Sequence, residues 1–202
     1  MGRGLLVTLA VVGVLVAAIV GWAVGVNNEL VRLEQSVNEK WAQVQNVYQR
    51  RADLVPNLVE TVRGFATQER TVLEEVTKAR ASATGVHLTP GALSDPKALE
   101  RFQAAQNQLS GALSRLLVVV ERYPDLKSNQ NFLALQTQLE GTENRIAVER
   151  NRFNEVARAY NTKIRQFPGS IVASMGGFKA KAYFEAEEGA EKAPRVDFSK
   201  KP

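Results

Sequence analysis

Apolar positions change their spacing along the chain, and each change marks a different element. Between Leu5 and Val26 there is no charged side chain, and Thr8 is the only clearly polar one. As a helix rising about 1.5 Å per residue this run covers roughly 33 Å, enough for the hydrocarbon core of a bilayer. The Thr8 hydroxyl can bond back to its own helix, so the run predicts a membrane span. Beyond it, Leu30, Leu33, Val37, Trp41, Val44 and Tyr48 step by three and four, which places one apolar stripe on a helix continuing directly from the span. After Asp53 the series resumes at Leu54, Leu58, Val62, Phe65, Val72 and Val76, with Pro56 between the halves. Proline removes a backbone donor and crowds the preceding turn, which predicts a kink or break near Leu54 and Val55.

From Ala83 to Pro96 the chain carries Gly85, Pro90, Gly91 and Pro96 among Thr and Ser residues, the composition of a loop between helices. Asp95 before Pro96 is a helix start, and Leu99, Phe102, Leu109, Leu113, Leu116 and Val120 give a third stripe that Tyr123 and Pro124 end. The last stripe is the most regular: Phe132, Leu135, Leu139, Ile146, Phe153, Val156, Tyr160 and Phe167 fall on one three-four series, with Thr142, Glu149 and Lys163 at its remaining positions. It reads as a coiled-coil-like seam roughly 50 Å long. Long amphipathic helices with short connections bury their stripes against one another. The fold class is therefore all-α: a single N-terminal transmembrane helix followed by an antiparallel bundle of three to four long helices. Residues 1–26 form the anchor and 27–168 the bundle. Residues 169–202 form a C-terminal tail, with a short helical or extended stretch at Ile171 to Met175 and the remainder mobile unless it docks on a partner.

Inside the apolar run, Gly13, Ala17, Gly21 and Gly25 recur every fourth residue. Small residues at that spacing make a smooth stripe on which two membrane helices can approach closely, so the anchor is expected to self-associate. The plain alternative is that glycine is common in membrane helices. A cleavable secretory signal is a second alternative, since Arg3 gives a positive start and Ala23 and Gly25 have small-residue spacing. The apolar core exceeds the usual signal length of about 7–15 residues, which favours a retained anchor. Arg3 and the amino terminus balance Arg32 and Lys40 across the span, so charge alone does not orient it. An uncleaved export signal would place the large domain outside the cytoplasm.

Composition narrows the chemistry. The formal net charge is +5, from 26 Lys and Arg against 21 Asp and Glu, and the acidic residues are interleaved. No concentrated phosphate-binding face results, and no nucleic-acid partner is expected. The chain has no cysteine, which excludes a disulfide framework and a cysteine-attached lipid. His87 is the sole histidine, so no multi-histidine metal site or histidine relay can be assembled in one chain. No Glu-x-x-His pair is present for a bundle di-iron site, and Gly169, Gly176 and Gly177 lack the Gly-Lys-Ser or Gly-Lys-Thr continuation of a phosphate loop. No base stands beside a Ser or Thr to activate it. Glu74 with Glu75 and Glu187 with Glu188 read as solvated surface. No catalytic, cofactor or metal residue is assigned.

One polar cluster stands apart. In YQRRADLVPNLVETV, residues 48–62, Arg50, Asp53, Asn57 and Glu60 share a helical face at three- and four-residue spacing, beside Arg51. Two readings compete. In the first, the cluster services the Pro56 kink: Asp53 and Asn57 satisfy freed backbone groups and the arginines pair with Glu143 or Glu149 across the bundle. In the second it is a docking or register-setting site, because a polar network in an apolar seam can specify one arrangement.

The segment YQRRADLVPNLVETVRG, Tyr48 to Gly64, resembles the signature of the LemA family of bacterial membrane-associated proteins. LALQTQLEGTENRIAVERNRFNEVARAYNTKIRQFP, Leu133 to Pro168, resembles it too, as does FKAKAYFEAEEGAEKAPRVDF, Phe178 to Phe198. The resemblance implies an apolar amino-terminal segment, a helical-bundle domain, and no established catalytic residue or cofactor. Some relatives carry a lipid-attachment cysteine after the apolar segment; this chain has Gly21 and Trp22 there, which implies anchoring by the helix itself. A magnetosome-associated branch is linked to membrane invagination. The expected function is a non-enzymatic, membrane-anchored helical scaffold or adaptor of the bacterial envelope that self-assembles into a homo-oligomer or docks other envelope proteins, with the lipid bilayer as its constant partner. Membrane remodelling by an ordered oligomer is the first alternative, and an accessory enzyme with an intersubunit site the second.

Overall fold

A computed structural model describes residues 2–185 of the 202. Helix α1 (Gly2–Phe65) is 64 residues long and passes from the apolar run into the bundle without interruption. It is followed by α2 (Arg70–Gly85), a 3-10 turn (Pro90–Ser94), α3 (Pro96–Val120), the single turn α4 (Pro124–Lys127), α5 (Gln130–Arg165) and α6 (Gly169–Met175). Among the described residues no strand occurs. α1 leads away from the apolar run, α2 doubles back, α3 leads away again, and α5 returns along α1. Arg51 in the last quarter of α1 pairs with Glu143 in the first half of α5, and Glu29 with Lys163 near the apolar run, as antiparallel packing requires.

Helix starts follow their sequence signals. The Asp95 carboxylate accepts from the Lys97 N–H at 3.0 Å, and the Asn129 side-chain oxygen accepts from the Phe132 N–H at 3.1 Å. Each satisfies a donor that the first helical turn leaves free. Pro56 is where expectation and structure part. α1 does not break there. The missing N–H frees the carbonyl four residues back, that of Ala52. Arg80 of α2 supplies the donor instead, its Nε reaching Ala52 O at 2.7 Å. The reversal comes ten residues later, in Ala66 to Glu69. Glu69 ties that turn to the end of α3 by accepting from Arg122 and from the Tyr123 hydroxyl, both at 3.0 Å.

The inner face of α1 runs Leu30, Val37, Trp41, Val44, Tyr48, Arg51, Val55, Leu58 and Val62. Past Asp53, Leu58 and Val62 are buried as expected, whereas Val55 takes the place of Leu54 and Phe65 is exposed. α2 likewise buries Leu73, Val76, Ala79 and Ala83 rather than Val72. The α3 stripe is buried as expected. α5 buries Phe132, Leu139, Thr142, Ile146, Phe153 and Tyr160, but Phe167 lies past its end and is exposed.

Two apolar cores result. One lies toward the apolar run, around Trp41, Phe102, Phe153, Tyr160 and Phe184. The other is distal, around Val59, Val76, Leu113, Leu116 and Phe132. Trp41 meets Phe102 and Phe153 edge-on, with ring centroids 5.3 and 5.7 Å apart, an arrangement that suits the quadrupoles of the rings.

The described half of the stretch read as a tail, residues 169–185, is built into the fold. Gly169–Met175 is helical. Residues 178–185 then run extended along α5, away from the apolar run. Asn161 exchanges two hydrogen bonds with the Lys181 backbone, both 2.8 Å, and Asn154 exchanges two with the Phe184 backbone, both 2.9 Å. Seven helical residues rise about 10.5 Å and three extended ones about 10 Å, so the two asparagines match the strap's own spacing. Ala182 N–H also donates to Leu93 O at 2.8 Å, and Phe184 fills the aromatic core. Residues 186–202, which carry the rest of the tail and the Glu187–Glu188 pair, lie outside the described residues.

Candidate functional site

Two features are candidates for function: the apolar run of α1, and a polar layer halfway along the bundle.

The run is unpartnered up to its last turn, where Val26 is buried. α1 carries a stretch long and apolar enough to cross a membrane, and none of it is buried against the rest of the chain. Thr8 donates to Gly4 O at 3.0 Å, so its hydroxyl is satisfied within the helix. Gly13, Ala17, Gly21 and Gly25 lie on its exposed surface, and a Cβ on any of the three glycines would meet nothing within 4 Å. The smooth stripe is thus open to a partner outside the chain.

The polar layer centres on Arg51, whose side chain is 1% exposed. Its Nη1 donates to Ser110 Oγ at 2.7 Å and to Glu143 Oε1 at 2.8 Å; its Nη2 donates to Gln106 O at 3.1 Å and Gln106 Oε1 at 2.6 Å. The guanidinium carbon lies 5.2 Å from the centroid of the Tyr48 ring, close enough for attraction to its π-face. Gln106 in turn donates to Ala83 O at 3.1 Å. One cation thereby joins α1, α3 and α5, and through Gln106 reaches α2. It sits between the two apolar cores. Burial pushes the Tyr48 phenol pKa above its ordinary value, against the opposing pull of Arg150 and Arg51. Of the four acceptors three belong to α3 and only Glu143 to α5, so sliding α5 by one turn would cost the cation its one carboxylate partner.

The other residues of the cluster are not part of this layer. Arg50, Asp53, Asn57 and Glu60 all face solvent. Asp53 accepts from Gln49 at 2.8 Å, and Glu60 pairs with Arg63 at 2.8 Å. Neither Asp53 nor Asn57 covers the backbone freed by Pro56, since Arg80 does. The pairing of an arginine with Glu143 is present. Beside the layer, Gln45, Tyr48, His87 and Gln106 border a hollow of about 80 Å³, well below the roughly 300–1,000 Å³ of small-molecule sites. Among the described residues no group of three or more His, Asp or Glu side chains is placed to hold a metal.

Sequence reasoning missed a second ion pair with a buried cation. Lys181 on the strap is buried, donates to Glu34 Oε1 at 2.8 Å, and lies 5.6 Å from the Tyr160 ring centroid. Burial, and secondarily the Glu34 carboxylate, push the Tyr160 pKa up to about 12. The available signal was the pair Asn154 and Asn161, two polar residues seven apart beside the α5 seam.

The chain is 27% identical over 205 residues to the magnetosome protein MamQ 2 of Paramagnetospirillum magneticum, covering 92% of this chain and 74% of that protein. It is 27% identical to the magnetosome protein MamQ of Magnetospirillum gryphiswaldense, covering 91% and 74% respectively. To the protein LemA of Metamycoplasma hominis it is 24% identical over 165 residues, covering 82% of this chain and 71% of the other. The sequence model of the LemA family matches residues 40–198, from the bundle segment of α1 through the strap and beyond, and the chain belongs to the LemA family.

Proposed function

We propose that the protein is a non-enzymatic, membrane-anchored scaffold or adaptor of the bacterial envelope, which works by assembling with copies of itself or docking envelope proteins. The observation that carries this reading is the continuity of α1: one helix holds the unpartnered apolar run and the spine of the bundle. Whatever the anchor binds is thereby coupled to the position of the bundle. The exposed stripe of Gly13, Ala17, Gly21 and Gly25 suits a second anchor. The solvent face with Arg50, Asp53, Asn57 and Glu60 offers contacts that need no change in the core. Single-pass insertion in the inner membrane, with the bundle outside the cytoplasm, is part of the same proposal.

The test is the size of the native complex in mild detergent, with Gly21→Ile and Gly25→Ile as stripe variants and Asn57→Ala with Glu60→Ala on the solvent face. A stripe-driven assembly falls to smaller species in the isoleucine variants while the bundle keeps its helicity. An unchanged monomer for every variant and the parent refutes self-assembly. A topology reporter after Pro202 reads the orientation. The magnetosome relatives favour a second reading, membrane remodelling by an ordered array. Vesicles bearing dense reconstituted protein deform under that reading and stay round without it.

A further inference from the structure

α6 is short, but its place is specific. Its inner side is fixed to the bundle: Ala173 is buried and Val172 packs on the adjacent core. A Cβ on Gly169 would lie 3.0 Å from Lys163 O, so this glycine lets α6 start close against the end of α5, while Val26 Cγ1 of α1, 3.9 Å away, is in ordinary contact. The outer side is different. Phe167 just before the helix is 81% exposed, and Ile171 and Met175, one turn apart within it, are 50% and 85% exposed. Val172, Met175 and Gly176 also border an open groove of about 330 Å³ whose other wall is Ala23, Val24 and Asn27 of α1. Ala23 and Val24 belong to the last turn of the apolar run. The first charged residue beyond that run is Glu29, held by Lys163 at 2.7 Å. α6 therefore stands beside the end of the apolar run, on the bilayer side of this ion pair.

We propose that α6 is a second membrane contact: Phe167, Ile171 and Met175 enter the headgroup–acyl boundary of the bilayer that α1 crosses. The occupant is lipid because the apolar surface of α6 meets the unburied surface of the span across that groove, and exposed Trp22, next to Ala23 in the chain, is an aromatic suited to the interfacial layer. Exposed Arg165 and Lys179 adjoin it, placed for lipid phosphates. Two contacts a helix width apart fix the tilt and rotation of the bundle, which one helix through a fluid bilayer leaves free. The inference rests on the reading that Leu5–Val26 spans the membrane.

The absence of cysteine makes single-site spin labelling direct. Ile171→Cys and Met175→Cys are labelled in the full chain, in phosphatidylcholine–phosphatidylglycerol vesicles. Val14→Cys serves as the reference within the span and Val118→Cys as the reference on the α3 surface; all four positions are exposed, and unchanged helicity confirms folding. Collision with oxygen is expected to exceed collision with a water-soluble nickel complex several-fold at positions 171 and 175, as at 14 and opposite to 118. Labels at 171 and 175 that match 118 overturn the proposal by placing α6 in water. Labels reached by neither reagent overturn it in favour of a protein partner, a second copy included. If position 14 itself reads as water, the span has failed and the second contact with it.

Discussion

Arg51 shows how one residue can fix a bundle while contributing little apolar surface. Arg51→Ala leaves Gln106 Oε1 and Ser110 without their donor and opens a cavity between the cores. A loss of about 3–5 kcal/mol is expected in denaturant unfolding followed by circular dichroism. Arg51→Met, of similar volume and without charge, fills the cavity but leaves the same acceptors unpaired, so it is expected to recover only part of that loss. Tyr160 presents the converse case, a buried hydroxyl with no hydrogen-bond partner among the described residues. Tyr160→Phe is expected to raise stability by about 1 kcal/mol at pH 7. Its pH dependence has a definite sign. The folded phenol holds its proton to about 12 while the unfolded one, near 10, has lost it. Ionisation therefore favours the unfolded chain above pH 10, and the fold loses stability as the pH rises from 10 toward 12, with no such loss below 10. In the phenylalanine variant that part of the alkaline decline disappears from the melting curves. The sequence offered Arg51 less clearly than its neighbours. Spacing grouped Arg50, Asp53, Asn57 and Glu60 on one face, and that face is solvent. The buried series 44, 48, 51, 55, 58 runs through Arg51, a position that an apolar template skips because it carries a charge.

At the scale of elements, the Pro56 site is a contact between helices in place of a bond within one. Arg80→Ala is expected to cost about 1–2 kcal/mol, since it strands the Ala52 carbonyl. In a Pro56→Ala background the restored N–H serves that carbonyl, so the same substitution is expected to cost measurably less, and a double-mutant cycle reads the difference. The strap makes a parallel case: Asn161→Ala removes both bonds to Lys181, and faster proteolysis within residues 178–185 is expected while α1 to α3 stay protected. Helices α3 and α5 were legible because their stripes and caps agree with each other. The turn after Phe65 was not. Residues 66–69 contain neither glycine nor proline, and what holds them is Glu69 bonding to Arg122 and Tyr123 some fifty residues away. The strap was illegible for a related reason, since its partners are two asparagines on another helix and it has no periodicity of its own.

At the scale of the molecule, the all-α architecture with an amino-terminal apolar helix was legible from periodicity alone, because amphipathic helices have few ways to bury their stripes. The division into a proximal and a distal core was not, as it depends on which side chains meet around Arg51. What the whole gains from its parts follows from α1 staying helical past Pro56. Residues 27–65 carry the bundle about 58 Å beyond the apolar run. The anchor and the far tip are therefore the two ends of a lever. A 10° rocking of the embedded segment sweeps the α1–α2 turn sideways by about 10 Å, so events confined to the plane of the bilayer reach the tip as displacements several times larger than their own.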